Sequence, residues 1–343
     1  MAIAGYLRKL VELKNQLVAN LNSMGVVADE NEKLNTLVPK VLECETEQNV
    51  EFVEGTDFAG TSSLPGFNNT ITKIIIPDGT TTIGTYAFYN FTNLLSVKIP
   101  ESVKTIGNYA FSDCTSLNEV TIECNNLTTG SNSFYNCNNL TKLIIAPGEN
   151  NKAVNEIRKL SYSFTECEIL DGVTSIGINA FTSIKITSLT IPSSVTSIGE
   201  YAFSSCTSLA SITIPDSVTS IGEYAFSSCT SLASIIIPDS VTRIEYYTFY
   251  SCSSLTSITI PDSVTRIGTW AFASCSSLTS ITIPDSVTRI ENYAFANCSS
   301  LTDIYYTGTE EQWNAITKGT GWNSGMGSSV SGGTTIHYNY VPE

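Results

Sequence analysis

The chain has 343 residues, a formal net charge of −15 at pH 7, and only 14% charged residues. Its 17 Lys and Arg residues are spread thinly, and phosphate binding needs clustered positive charge, so nucleic acid is excluded as a partner. No stretch approaches the roughly 18 apolar residues that would cross a bilayer, and we expect no membrane insertion.

Residues 1–43 are predicted to be helical. Apolar residues recur there at alternating spacings of four and three, interrupted at Lys14, which predicts an amphipathic helix with a heptad seam: Ile3, Leu7, Leu10, Leu17 and Leu21. Two interpretations stay open. The segment either caps the end of the following domain or serves oligomerisation and docking to partners.

The same N-terminal segment carries no secretion signal that we recognise. Arg8, Lys9 and Glu12 interrupt the apolar residues, so classical secretion is not expected. Residues 44–70 are predicted to be a linker that leads into the first repeat.

A repeat governs residues 71–303. The dipeptide Ile-Pro recurs every 23 residues, at Ile191, Ile214, Ile237, Ile260 and Ile283, and the same step runs back from Ile145 to Ile76. We count about ten coils, with irregular sequence at 123–170. A coil this short cannot close a core alone, so the pattern predicts a solenoid stabilised by stacking.

One coil shows the expected local structure. Ile212 and Ile214 alternate with Ser and Thr, the period of a strand with one buried face. The Pro215-Asp-Ser that follows ends the strand, and an Asp side chain in such a turn can bond its own backbone. Residues 225–229 then predict a short turn-like or 3₁₀ segment.

The coil pattern resembles the BspA-like leucine-rich repeats of microbial surface proteins, roughly L-x-x-I-x-I-P-x-S-V-x-x-I-G-x-x-A-F-x-x-C. The resemblance covers about residues 71–301, and residues 304–343 look like that family's terminal cap. It implies an α/β repeat solenoid, a β-rich right-handed superhelix with a short N-terminal helical segment, and a role as an adhesin or ligand-binding array. Within the cap, the Gly-rich stretch 319–333 is predicted to be a flexible loop.

The N-terminal helices also resemble those of tail or virion proteins of gut phages and prophages. That resemblance implies a virion-associated protein whose helices attach to virion partner proteins or to one another. A bacterial cell-surface adhesin is the alternative, and a purely structural decoration protein is a third hypothesis.

One coil position forms an aromatic column: Tyr86, Tyr109, Tyr201, Tyr224, Tyr247, Trp270 and Tyr293, with Asn132 and Asn179 in the irregular region. Equivalent residues in stacked coils lie about 4.8 Å apart, which predicts a nearly continuous stripe. The rings either cover the core edge or offer a stacking surface to a host-surface glycan or protein.

A second candidate surface is the outward face of the sheet, where the ligand-contacting candidates are Ser211, Thr213, Thr259 and Thr282. Concave strands are where solenoids usually bind. The alternative is a merely soluble, strand-compatible surface.

Three further patterns predict structural roles. The Asp column of Asp216, Asp239, Asp262 and Asp285 is expected to cap turns and to be neutralised by the Arg column of Arg243, Arg266 and Arg289, with no metal bound. The cysteines at one coil position are expected to be buried free thiols. No nucleophile elbow, phosphate loop or metal cluster is present and the single His is His337, so no catalytic residue, enzyme activity or cofactor is expected.

Overall fold

The computed structural model describes residues 49–51, 71–123, 127–148, 153–154, 164–328 and 333–341. The predicted N-terminal helix, with Ile3, Leu7, Leu10, Leu17 and Leu21, lies outside these residues. Strands, numbered here in chain order, dominate the described part, which winds as a parallel β-solenoid of about nine turns.

Each coil contributes one longer strand to the sheet. These strands are β1 (Asn49–Glu51), β2 (Lys73–Ile75), β4 (Ser96–Ile99), β6 (Glu119–Glu123), β8 (Lys142–Ala146), β10 (Glu166–Ile169), β12 (Ser188–Thr190), β14 (Ser211–Thr213), β17 (Ser257–Thr259), β19 (Ser280–Ile283), β21 (Asp303–Tyr306) and β23 (Thr335–His337). Strand β1 lies within the segment predicted to be linker, where it pairs with β2 and starts the solenoid.

Most coils add a two-residue strand on the return leg. These are β3 (Thr82–Ile83), β5 (Thr105–Ile106), β7 (Thr128–Thr129), β9 (Ala153–Val154), β11 (Ser175–Ile176), β13 (Ser197–Ile198), β15 (Ser220–Ile221), β16 (Arg243–Ile244), β18 (Arg266–Ile267), β20 (Arg289–Ile290) and β22 (Thr317–Lys318). One helix, α1 (Glu310–Ala315), occurs among the described residues, begun by Thr309 and Gln312 in a capping box.

The pairing is parallel and follows the repeat. Ile258 pairs with Ile281, one step of 23 residues along the chain. In the irregular region Lys142 pairs with Glu166, 24 residues on, whereas Ser175 pairs with Ser197, 22 residues on. One long step and one short step therefore cancel, and the sheet from β1 to β10 stays continuous.

The turn at the end of each sheet strand is closed by the backbone. Val218 N–H donates to Pro215 O at 3.0 Å, and the Ser217 hydroxyl donates to Val195 O of the preceding coil at 2.7 Å. The Asp216 side chain, which we expected to bond its own backbone, is exposed. The hydroxyl beside it thus ties each turn to its neighbour.

The segment after the return strand, here called the turn segment, carries a second ladder. Tyr224, Phe226 and Ser228 donate their N–H groups to Tyr246, Thr248 and Tyr250 O of the next coil at 3.0, 2.9 and 2.7 Å. Alternate amides thus bond between coils, while those between them close local turns such as Ser227 N–H to Tyr224 O. Backbone groups are satisfied on this side as well as in the sheet.

The core consists of columns of like side chains. The Phe column is buried throughout, and consecutive rings stack at centroid distances from 4.9 Å for Phe111–Phe134 to 5.6 Å for Phe226–Phe249. Each buried thiol of the Cys column donates to the carbonyl oxygen of the Phe one coil back, as Cys252 Sγ does to Phe226 O at 3.2 Å. The cysteine position therefore supplies a donor as well as an apolar filler.

The C-terminal cap differs from the prediction in one respect. Residues 319–328 were expected to form a flexible loop, but they continue the turn-segment ladder, since Tyr293 and Phe295 donate to Thr320 O and Trp322 O at 3.1 and 2.7 Å. Gly321 and Gly325 have φ of +61° and +71°, so their glycines serve a left-handed backbone that the coil requires.

Candidate functional site

The predicted aromatic column is present as a stack. In its regular part the ring centroids lie 4.5 Å apart for Tyr201–Tyr224, 4.7 Å for Tyr224–Tyr247, 5.9 Å for Tyr247–Trp270 and 4.5 Å for Trp270–Tyr293, with interplanar angles of 18° or less. These rings are half-buried.

The column stands on an unusual backbone. Every member has a positive φ, 55° at Tyr201, Tyr224 and Tyr247 and 58° at Trp270, in the left-handed region that aromatic residues rarely adopt. The irregular coils place Asn132 and Asn179 there, a residue type that tolerates this conformation. Ring stacking must therefore offset a backbone cost in the regular coils.

Stacking also determines what the column can offer to a ligand. The faces of Tyr224, Tyr247 and Trp270 lie against neighbouring rings, and a Cβ on Gly321 would come within 2.5 Å of the Tyr293 ring, so backbone covers that end. Burial, with a hydrogen bond to Tyr246, raises the pKa of Tyr247 to about 12 and also raises that of Tyr224. The column presents ring edges and neutral hydroxyls.

The sheet candidates share one open face. Ser211, Thr213 and Thr259 are exposed and Thr282 is half-buried, while the residues that alternate with them are core. The coil between β14 and β17 interrupts this hydroxyl surface with Ile236, which is 82% exposed where its neighbours have Thr.

The two ends of this face differ in character from its middle. Towards the N-terminus it is charged and paired, with Lys98–Glu123 at 2.6 Å and Lys142–Glu119 at 2.9 Å. At the C-terminal end His337 Nε2 lies 2.7 Å from Asp303 Oδ1, and its ring stacks on Tyr305 at 4.9 Å. The hydroxyl-rich stretch lies between these ends.

The Asp and Arg columns do not neutralise each other as expected. Arg266 Nε and Arg289 Nε both contact Glu291 Oε1, at 3.0 and 2.6 Å. Glu291 stands where most coils have Gly, and this substitution places a nearly buried carboxylate beside the guanidinium groups. Within the described ranges, no group of three or more His, Cys, Asp or Glu residues is arranged to hold a metal ion.

The described cysteines are free thiols, as predicted, and all but Cys167 are buried. Burial raises the pKa of Cys252 and Cys298 to about 12. These groups remain protonated and unreactive, so they form part of the core rather than a site.

Sequence analysis missed a set of aromatic residues that occur at irregular intervals. Three residues beyond the aromatic column, most coils have Ser, Thr or Ala, but three have Tyr89, Tyr135 and Tyr250. Tyr89 is 37% and Tyr135 60% exposed, whereas Tyr250 is half-buried and packs on Tyr247 at 5.0 Å. Departures from the repeat at this position were the available signal.

The part of the chain that the structure describes has no helix with the length and hydropathy of a bilayer span.

The sequence pattern of the BspA type leucine rich repeat region matches residues 66–181 and 174–302, with six copies. A leucine rich cell surface protein from Faecalibacterium prausnitzii is similar at 32% identity, over 76% of this chain and 83% of that one, with a TM-score of 0.34. A T. pallidum leucine-rich-repeat protein is 27% identical, over 56% and 78%, at a TM-score of 0.43. A leucine-rich-repeat protein from Bacteroides ovatus is 23% identical, over 84% and 91%, at a TM-score of 0.48. None of the curated proteins matches the chain.

Proposed function

Because the chain belongs to the BspA-type leucine-rich-repeat family, we propose that it is a non-enzymatic binding protein of the cell-surface adhesin type that contacts a host-surface glycan or protein. The relative at 32% identity is a cell surface protein, which supports a surface or extracellular location. Repeat solenoids of this kind generally serve as binding scaffolds.

The observation that carries this proposal is the open face of the sheet. Ser188, Thr190, Ser211, Thr213, Ser257 and Thr259 expose their hydroxyl groups there, side by side along the solenoid axis. Hydroxyl groups both donate and accept hydrogen bonds, so such a surface is suited to polar, uncharged partners. The net charge of −15 disfavours polyanions.

Substitution of exposed threonines on two sides of the solenoid tests the proposal. The sheet variant Thr213→Glu/Thr259→Glu places two carboxylates on the open face, two coils apart, and the control Thr219→Glu/Thr265→Glu changes two equally exposed threonines next to the return strands. We expect the wild-type chain and the control to bind host cells or arrayed glycans and the sheet variant to bind weakly. Equal binding by all three would remove the sheet face from consideration, and no binding by the wild type would contradict the function.

The aromatic column is a second contact surface within the same proposal. Tyr201, Tyr224, Tyr247, Trp270 and Tyr293 present a row of ring edges and hydroxyls along the turn segments. Replacement of Tyr224, Tyr247 and Trp270 by Ala in a chain that still folds tests this surface, since unchanged binding would eliminate it.

The finer hypothesis of a phage virion protein depends on residues 1–43. We propose that Ile3, Leu7, Leu10, Leu17 and Leu21 dock to a virion partner or to other copies of the chain, as their heptad spacing favours. The solution mass of the full chain against its Leu10→Glu/Leu17→Glu variant tests self-association. The same mass for both, equal to that of a monomer, would contradict it.

A further inference from the structure

The turn segments of the first coils carry an exposed aromatic patch that the repeat does not require. Tyr86 is 41%, Tyr89 37% and Tyr135 60% exposed. At the coil position of Tyr89 and Tyr135, the chain elsewhere uses Ser112, Ser204, Ser227, Thr182, Ala273 and Ala296, each of them buried. A small residue thus completes the coil, and the two tyrosines add ring surface that contributes little to folding.

A polar network across three coils lies among these rings. The Asp113 carboxylate accepts hydrogen bonds from the Tyr89 hydroxyl of the coil before it and from Asn136 Nδ2 of the coil after it, the latter at 2.6 Å. Asn138 Nδ2 donates in turn to Asn136 Oδ1 at 2.8 Å. Its proximity to Asp113 raises the pKa of Tyr89, which keeps that hydroxyl a donor.

The contrast with the C-terminal half of the chain is direct. In the column from Tyr201 to Tyr293 the ring faces lie against one another, whereas Tyr135 has most of its surface in solvent. Exposed aromatic surface beside hydrogen-bonding groups on a protein marks a binding site more often than a structural one.

We propose that the tyrosine patch, formed by Tyr86, Tyr89 and Tyr135 around Asp113 and Asn136, binds neutral sugar residues of a glycan. The apolar C–H face of a pyranose packs on an exposed ring such as that of Tyr135, and its hydroxyl groups bond to the carboxylate and the amide. The Asp113 carboxylate and the net charge of −15 reject acidic sugars. This inference rests on the proposed adhesin function and assigns it a site and a ligand class.

The test uses the full chain and substitutions that the repeat itself supplies. Tyr89→Ser/Tyr135→Ser installs the residue that Ser112, Ser204 and Ser227 occupy in other coils, so the fold is preserved. Asp113→Asn keeps the shape of the side chain and removes its charge. Tyr250→Ser is the matched control, at the same coil position outside the patch.

Labelled protein is applied to an array of neutral and acidic glycans, and the affinity for the best neutral glycan is then measured by calorimetry. We expect the wild type and Tyr250→Ser to bind alike, the double variant to bind at least about tenfold more weakly, and Asp113→Asn to lose affinity severalfold. Circular dichroism verifies that each variant is folded.

Each other outcome overturns a different statement. Unchanged affinity in both the double variant and Asp113→Asn refutes the site while the adhesin function stands. A preference for acidic glycans, or binding to proteins alone, refutes the ligand class. A wild-type chain that binds neither cells, glycans nor proteins contradicts the proposed function and the site with it.

Discussion

The left-handed backbone beneath the aromatic column leads to a prediction about stability. Tyr224 has φ of 55° and stacks on two rings, Tyr201 at 4.5 Å and Tyr247 at 4.7 Å. Replacing it by Ala removes both contacts and leaves the backbone strain. Replacing it by Asn removes both contacts but introduces a residue that tolerates the conformation, as Asn132 and Asn179 do in this chain.

The magnitudes separate the two variants. Stacked aromatic pairs contribute roughly 0.5–1.5 kcal/mol each beyond area burial, so losing two costs about 1–3 kcal/mol in either variant. A left-handed conformation costs an ordinary L-residue roughly 1–2 kcal/mol. We therefore expect Tyr224→Ala to lower the free energy of unfolding by about 1 kcal/mol more than Tyr224→Asn.

Denaturant unfolding of the full chain, followed by circular dichroism, measures the difference. The control pair is Tyr250→Ala and Tyr250→Asn, because Tyr250 packs on the same column but is not among the residues with positive φ. There the two substitutions should be nearly equal. If Ala and Asn are equal at Tyr224 as well, stacking does not offset strain and the argument is wrong.

Three further predictions concern the cysteines, the tyrosines and metal ions. Cys252→Ala leaves Phe226 O without its buried donor and should cost about 1–3 kcal/mol, whereas Cys252→Ser retains a donor and should cost less; equal costs in denaturant titration would contradict a role for the hydrogen bond. The pKa of Tyr247 is raised from 10.0 to about 12, so the protonated phenol stabilises the fold below pH 10 and that contribution is lost as the pH rises towards 12; tyrosinate absorbance and unfolding should therefore appear together in this window. The exposed Asp column holds no structural metal in our interpretation, so a chelator should leave the thermal midpoint unchanged, and a lower midpoint would show a bound cation.

Periodicity explains why so much of the fold could be predicted. When Ile214 and Ile237 lie one repeat apart, a parallel sheet with that register places them side by side, and every other position follows. The strand positions, the Phe and Cys columns and the aromatic stack therefore follow from one alignment of the coils.

Backbone conformation was harder to predict, because the residue type argued against it. Tyr and Trp seldom adopt positive φ, so Tyr224 gave no sign of it, and only Asn132 and Asn179 hinted at the requirement. The same requirement explains the error in the cap. Gly321 and Gly325 were interpreted as marks of flexibility, yet they fill the two left-handed positions of an ordered turn segment.

The ion pairs were mispredicted for a different reason. An Asp column and an Arg column four residues apart favour pairing along the chain, but the coil places the Asp residues in turns and the Arg residues on return strands. Only the exchange of Gly for Glu291 brings a carboxylate within 3.0 Å of the guanidinium groups. A single departure from the repeat outweighed the column that the repeat predicts.

Departures from the pattern have the same importance for function. In a solenoid, residues at one coil position meet the same packing demand, so each coil is a control for the others. Ser227 shows what the fold needs at its position, and Tyr135 in the equivalent place exceeds that need with a ring that is 60% exposed. The ring therefore requires an explanation outside the coil, and the adjacent Asp113 and Asn136 supply the chemistry for one. Binding specificity in such an array should lie where coils differ, while the columns in which they agree determine stability.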